Sequence, residues 1–241
     1  MSAQPRPRPL RELLLVAALW LAYSIGRVAA DGHPSAAYTN AARVWDFERA
    51  LHLPDEGTLQ HLLLHSGTLV TAANSYYAFV HFPATAAFLV WLYLRRPAHY
   101  RLARNALAGL TGAALVIHAL FPLAPPRMLA DAGLVDTGSR YGPTVYGSPD
   151  TDSLANQYAA MPSLHVGWAL LIAVTLIAVT RSRWRWLWLA HPALTIAVVV
   201  ATANHYWLDG MVAAALLGGV LWALPGRLTL PQATPADAVG T

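Results

Sequence analysis

Six apolar segments divide this chain of 241 residues, each close to the roughly 20 residues a helix needs to cross the hydrocarbon core of a bilayer. They run approximately from Leu10 to Ala30, Leu69 to Leu94, Leu102 to Leu123, Ser163 to Thr180, Trp186 to Thr202 and Tyr206 to Leu224. Hydrophobic residues make up 56% of the chain and charged ones 12%, and the mean hydropathy of +0.40 lies outside soluble-domain usage. The expected fold class is therefore all-α, a polytopic membrane protein of six transmembrane helices. Asn74, His81, His118 and His191 interrupt the runs and are expected to face the bundle interior, because exposing them to lipid is expensive. His81 and His118 are expected to satisfy one another or nearby backbone. No soluble domain or internal repeat is visible, so residues 1–241 read as one integral-membrane domain with its core motifs within 118–224.

All sixteen basic residues are arginine, and eleven of them fall on one side of the six spans: Arg6, Arg8, Arg11, Arg95, Arg96, Arg101, Arg104, Arg181, Arg183, Arg185 and Arg227. The positive-inside bias then puts both termini in the cytoplasm, for a multi-pass protein of the cell membrane. The sixteen arginines are scattered between apolar runs rather than gathered into a basic face with interleaved aromatics, so nucleic acid is not expected as a partner. The first span also reads as a signal peptide with a Val28-Ala29-Ala30 cleavage site. Between the first two spans, Asn40 to Leu64 places Val44, Phe47, Leu51 and Leu53 among charges, the pattern of an amphipathic helix at the interface. The segment from Ala124 to Ala160, rich in Pro, Gly and Asp, is long for a compact bundle and suits a lid or a substrate-contacting element.

Three polar clusters stand at span ends: "FPLAPPRML" after the third, "MPSLHVG" opening the fourth and "ANHYWLDG" opening the sixth. All three emerge on the extracytoplasmic side of the expected topology. His205 and Asp209 are four residues apart, one turn along one helix face. A carboxylate so placed holds an imidazole in one tautomer and stabilises its cation. Ser163 follows a proline and precedes an apolar run, as a helix N-cap does. The N–H groups of that first turn form an anion site, and the Arg127 fork adds bidentate recognition of phosphate. His165 can then protonate a phosphate ester held there. The other readings are a structural His205/Asp209 ion pair, a zinc site made of His165, His205 and Asp209, and Arg127 as an interface anchor. His61 and His65, also four apart, read as a polar stripe without a third metal ligand. With no cysteine in the chain, thiolate metal sites, disulfides and thiol nucleophiles are excluded.

Together the clusters resemble the type 2 phosphatidic acid phosphatase superfamily. Its second motif, Pro-Ser-Gly-His, appears as Pro162-Ser163-Leu164-His165, and the His-x-x-x-Asp of its third as His205 to Asp209. The chain departs from the family at two cations. It has no lysine, offering Pro125-Pro126-Arg127 for the first motif, and Val199 stands where the third motif carries an arginine. In these versions the motifs look most like the branch that includes inositol phosphorylceramide synthases. The resemblance implies His205 as nucleophile, Asp209 as its orienter, His165 as general acid, and Arg127 with the backbone near Ser163 as phosphate clamp. It implies a phosphohistidine intermediate, a membrane lipid phosphate as substrate, water or a polyol as acceptor, and neither metal nor cofactor. A non-catalytic transporter or scaffold that keeps the bundle is the alternative.

Overall fold

The computed structural model describes residues 7–29, 34–144 and 157–226. Arg6, Ala30, residues 145–156 of the outer segment and Arg227 lie outside them. Ten α-helices account for most of the described residues: α1 (Pro9–Ala29), α2 (Pro34–Ala50), α3 (Glu56–Leu64), α4 (Gly67–Phe79), α5 (His81–Arg95), α6 (Pro97–Leu120), α7 (Thr137–Tyr141), α8 (Leu164–Val179), α9 (Ala190–Ala201) and α10 (Trp207–Ala223). All six apolar segments are helical. The described part contains no strand beyond a single parallel bridge between Leu123 and Ala159.

The helix α8 forms the centre. Nearly every residue in it is apolar, and nine of its sixteen positions are buried, on all sides of the helix. The helices α5, α6, α9 and α10 surround it. Close approach depends on Gly167, where an added Cβ would stand 3.0 Å from Leu110 Cδ2 on α6 and 3.6 Å from Ala213 Cβ on α10. The outside of the bundle is apolar as well: Leu120 is 80% exposed and Trp222 89%. Helices apolar all round belong to a membrane rather than to water. At one end, the 3₁₀ turn Arg183–Leu189 exposes Trp184, Trp186 and Trp188, with Arg183 and Arg185 over two of the rings. That is the composition of a membrane–water interface.

Length and composition alone mark two spans among the described residues, or three if a bent pair counts as one. Among the described residues, α6 and the continuous stretch Arg183–Ala201 are long and apolar enough to cross a bilayer, and α4 with α5 makes a third as a pair bent by 48°. The bend has a local cause in Pro83, which cannot donate to the Phe79 carbonyl one turn earlier. Apolar α8 and α10 have 16 and 17 residues because both start inside the protein, at the buried caps Ser163 and Tyr206.

The expected single interfacial helix over Asn40 to Leu64 is two helices. The first ends after Ala50, where His52 takes a left-handed φ of +55° and the Leu53 N–H returns to the Glu48 carbonyl at 3.1 Å, and Asp55 starts α3 by accepting a hydrogen bond from the Thr58 N–H at 2.9 Å. The buried face of α2 is Ala37, Ala41, Val44 and Glu48, while Phe47 and Leu51 are exposed. The acid thus sits where the pattern placed solvent. Of the two expected partners for His118, backbone holds, its Nε2 donating to the Pro162 carbonyl at 3.2 Å, while His81 stacks against Trp168 with ring centroids 4.4 Å apart. Replacing Gly167 with leucine forces α6 and α10 away from α8. The variant should lose about 1 to 3 kcal/mol of stability, the usual cost of overpacking, seen as a lower melting temperature in detergent.

Candidate active site

The starts of α8 and α10 meet at one end of the bundle. Ser163 is fully buried as the N-cap of α8, its Oγ 3.4 Å from the Val166 N–H, and its own N–H donates to the Asp209 carbonyl at 3.1 Å. The start of α10 is closed by a capping box, in which the Asp209 Oδ2 accepts from the Tyr206 N–H at 2.9 Å. The same oxygen accepts from His205 Nδ1 at 3.1 Å, and the Ala160 carbonyl lies 2.9 Å from that nitrogen. Both neighbours are acceptors, so Nδ1 carries the ring proton and Nε2 the lone pair.

His205 lies in the loop between α9 and α10. Burial, above all, and then the nearby Arg127 charge lower its pKa to about 3, against the opposing pull of the Ala160 carbonyl. The imidazole is therefore neutral at ordinary pH. The loop is turned by Ala203, a non-glycine residue at φ +54°, whose carbonyl accepts from the Arg127 N–H at 3.0 Å. Such a conformation costs of order 1 kcal/mol or more and persists only where the surroundings fix it. Here the Asn204 and His205 N–H groups both reach the Val199 carbonyl, at 3.0 and 3.1 Å.

Arg127 follows α6 and the Pro125-Pro126 pair. Its Nη1 donates to Asn204 Oδ1 at 2.7 Å, Nε is 3.5 Å from Asp136 Oδ2, and the side chain is 4% exposed. The cation is thus docked onto the loop that carries His205. His165 stands in the first turn of α8, 5.8 Å from His205 between ring centroids. It lies between Tyr77 on one side and His81 on the other, both at 4.4 Å, and its ring hydrogen-bonds the Tyr77 backbone. The five residues singled out from the sequence, Arg127, Ser163, His165, His205 and Asp209, converge. Asp209 sits behind His205 on its Nδ1, which is the orienting arrangement rather than that of two ligands facing one ion.

Beside them runs an apolar groove of about 350 Å³, with Val166, Ile196, Trp207, Gly210 and Met211 in its walls. Val166 and Gly210 are the chain neighbours of His165 and Asp209. Two amides hold the described part of the outer segment: Gln60 bonds both the carbonyl and the N–H of Val135, and Asn74 holds Thr137 and Gly142. His61 and His65 are exposed and lie on α3 and just after it, with His65 Nδ1 donating to the His61 carbonyl at 2.7 Å.

A profile of the PAP2 superfamily matches residues 42–223, well over half of the chain. The chain belongs to the PAP2 superfamily. No curated protein and no solved structure matches it significantly. As a PAP2 protein it is a phosphatase-type phosphoesterase of membrane character.

Sequence reasoning missed several residues that build this PAP2 site. Tyr77 and Asn204 adjoin His165 and Arg127, and only Asn204 lay within a quoted cluster. Glu48 was invisible as a site residue. It is fully buried, and its Oε1 accepts from the Leu208 N–H at 2.7 Å, which fixes the first turn of α10 next to Asp209. Its Oε2 and Glu56 Oε1 have no other partner among the described residues, and the two carboxyls bond each other, so one must keep a proton. Burial first, then the bond to Glu56, pushes Glu48 up to about 9. The folded protein thus holds a proton that an unfolded carboxyl, at about 4.5, would release, and stability falls as pH rises from about 4.5 to about 9. Glutamine reproduces the protonated acid, donor and acceptor both. Glu48→Gln should therefore melt higher than the wild type at pH 8 and flatten the pH dependence of melting over that window.

Proposed function

We propose that this PAP2 protein is an integral-membrane phosphatase or phosphotransferase that acts on a lipid-linked phosphate ester through a phosphohistidine. The observation that carries the reading is the fixed tautomer of His205: a neutral ring, its Nδ1–H held by Asp209 and Ala160, with the Nε2 lone pair left to react. In the first step His205 Nε2 forms a bond to phosphorus and the bond to the leaving lipid oxygen breaks. His165 delivers a proton to that oxygen, and the negative charge of the bound ester favours the imidazolium it needs. In the second step water or a polyol attacks phosphorus, gives its proton back to His165, and His205 is regenerated. Splitting the displacement this way is the logic of covalent catalysis. Arg127 and the first-turn N–H groups of α8 hold the phosphate oxygens.

Two further observations support a lipid substrate. The apolar groove begins at residues adjacent to His165 and Asp209, where an acyl or isoprenoid tail fits. The outer helical surface is apolar. The motif versions favour an inositolphosphotransferase-like branch, in which a polyol replaces water as acceptor. We extend the same reading to six spans across the cell membrane, with α1 crossing and α8 and α10 completed by their flanking residues, both termini cytoplasmic and the site extracytoplasmic. A cysteine at position 131 should then react with impermeant thiol reagents on intact cells, and one at position 183 should not; the reverse labelling would put the site in the cytoplasm.

The roles separate by experiment. His205→Ala should abolish turnover, and radiolabelled phosphate from substrate should appear on the wild type as an acid-labile adduct. A positioned general acid contributes about 10² to 10⁴ in rate when the leaving group is basic. His165→Ala should accordingly slow a lipid phosphate by about that factor and an activated aryl phosphate much less, because the aryl oxide departs without a proton. Equal losses on the two substrates in folded protein would make His165 a structural residue. Unchanged turnover in His205→Ala would remove His205 as the nucleophile, and cellular function left intact by that variant would favour a transporter or scaffold that keeps the bundle.

A further inference from the structure

At the other end of the bundle from His205, the start of α1 and the first turns of α6 enclose a cavity of about 410 Å³. Arg8, Arg11, Arg101 and Arg104 line it together with Glu12, so four guanidiniums face one carboxylate. The carboxylate is already engaged. Glu12 is buried and takes bonds from Arg104 and from the Tyr100 hydroxyl, the latter at 3.1 Å. The entry to α1 is tied down as well, since the Tyr93 hydroxyl donates to the Pro7 carbonyl at 2.8 Å. The basic residues are therefore gathered around a preformed concavity and do not merely dot a membrane edge. The positive-inside bias explains arginine at this end; it does not explain why four of them line one cavity with its only acid neutralised from within.

The flank of the cavity is apolar. Leu15 enters its wall, and Leu10, Leu13 and Leu14 on α1 are each more than 60% exposed. A ligand that carries both a phosphate and hydrocarbon satisfies both surfaces. We infer that this cavity binds the phosphate headgroup of an anionic phospholipid, with the acyl chains lying along α1. It is a second phosphate site, separate from the catalytic one: Arg104 and His118 are fourteen residues apart on α6, roughly 21 Å at 1.5 Å per residue. On the orientation proposed above, the ligand comes from the cytoplasmic leaflet, whose anionic lipids attract juxtamembrane arginine. Arginine suits the task because its fork grips two phosphate oxygens at once.

The test uses the purified full chain in detergent, titrated with short-chain phosphatidylglycerol, the matching phosphatidylcholine, and inorganic phosphate, with retained ligand read by native mass spectrometry. Phosphatidylglycerol should bind about tenfold tighter than phosphatidylcholine or phosphate, and the pair Arg11→Gln with Arg101→Gln should remove that advantage, as expected for two charges at an anionic headgroup. Arg11 and Arg101 are exposed, so the substitutions leave packing alone; Arg8→Gln gives an independent reduction should the pair misfold. Arg11→Lys with Arg101→Lys should keep part of the affinity. Arg127→Gln should keep the phosphatidylglycerol preference in full, which separates this site from the catalytic one whether or not the enzymatic reading holds. Equal binding of the two lipids, undiminished binding by the glutamine variants, or phosphate binding as tightly as phosphatidylglycerol would overturn the proposal.

Discussion

One carboxylate oxygen ties the candidate-site end of the bundle together. Asp209 Oδ2 accepts from the Tyr206 N–H and from His205 Nδ1, so the bond that caps α10 also sets the tautomer of the histidine before it. The Asp209 carbonyl then receives the Ser163 N–H, which locks the start of α10 to the start of α8. Five residues, from His205 to Asp209, thereby join helix capping, helix docking and imidazole orientation. This economy follows from sequence spacing: three residues from cap to N3 is the reach of a capping box, and one more step back places the imidazole on the same oxygen.

Burial makes that arrangement consequential. Asp209 and Ser163 are fully buried and His205 nearly so, and the first turn of α10 gains a further acceptor in Glu48. Helix N-termini leave unsatisfied N–H groups that water serves at a surface and side chains must serve inside. An apolar bundle whose helices begin in its interior therefore needs buried acceptors near those N-termini, and a carboxyl pair such as Glu48 and Glu56 meets the need by sharing a proton. The helices that start this way, α8 and α10, are also apolar helices shorter than a full span. Shortness and polarity at one end are two faces of the same constraint.

The candidate site was legible because its residues fall in short sequence motifs. Ser163 with His165 and His205 with Asp209 are within-motif pairs, and Arg127 stands in a proline-flanked signal, so each cluster was visible before any contact was known. The six apolar segments also foretold helices. What stayed hidden depended on distance along the chain. Glu48 on α2 reads as the polar face of an interfacial helix until α10 lies over it, and Tyr77 on α4 reads as one more aromatic until α8 brings His165 against it. Hydropathy runs also pass through Pro83 without registering the break, since periodicity records side-chain character and not a missing N–H donor.

The absent lysine and the valine at position 199 raise the question of how a phosphate would be held with so few cations. Val199 keeps a role through its backbone, accepting from Asn204 and His205, which then present Asn204 to Arg127. Under the proposed assignment the remaining cation works in a favourable place. Two unit charges about 4 Å apart interact by about 1 kcal/mol in water and about 4 kcal/mol at an effective dielectric near 20. A guanidinium that is 4% exposed and already oriented by Asn204 and Asp136 therefore does the work of several solvated ones, with little reorganisation when the ester arrives. Asp136 is the weaker of its two partners, at 3.5 Å and partly exposed, and a phosphate is the stronger competitor for the fork. Exchange of Asp136 for phosphate on Arg127 would cost one partly solvated contact while Asn204 keeps the side chain aimed at the loop of His205. Placement of the cation, rather than the number of cations, is what this chain supplies.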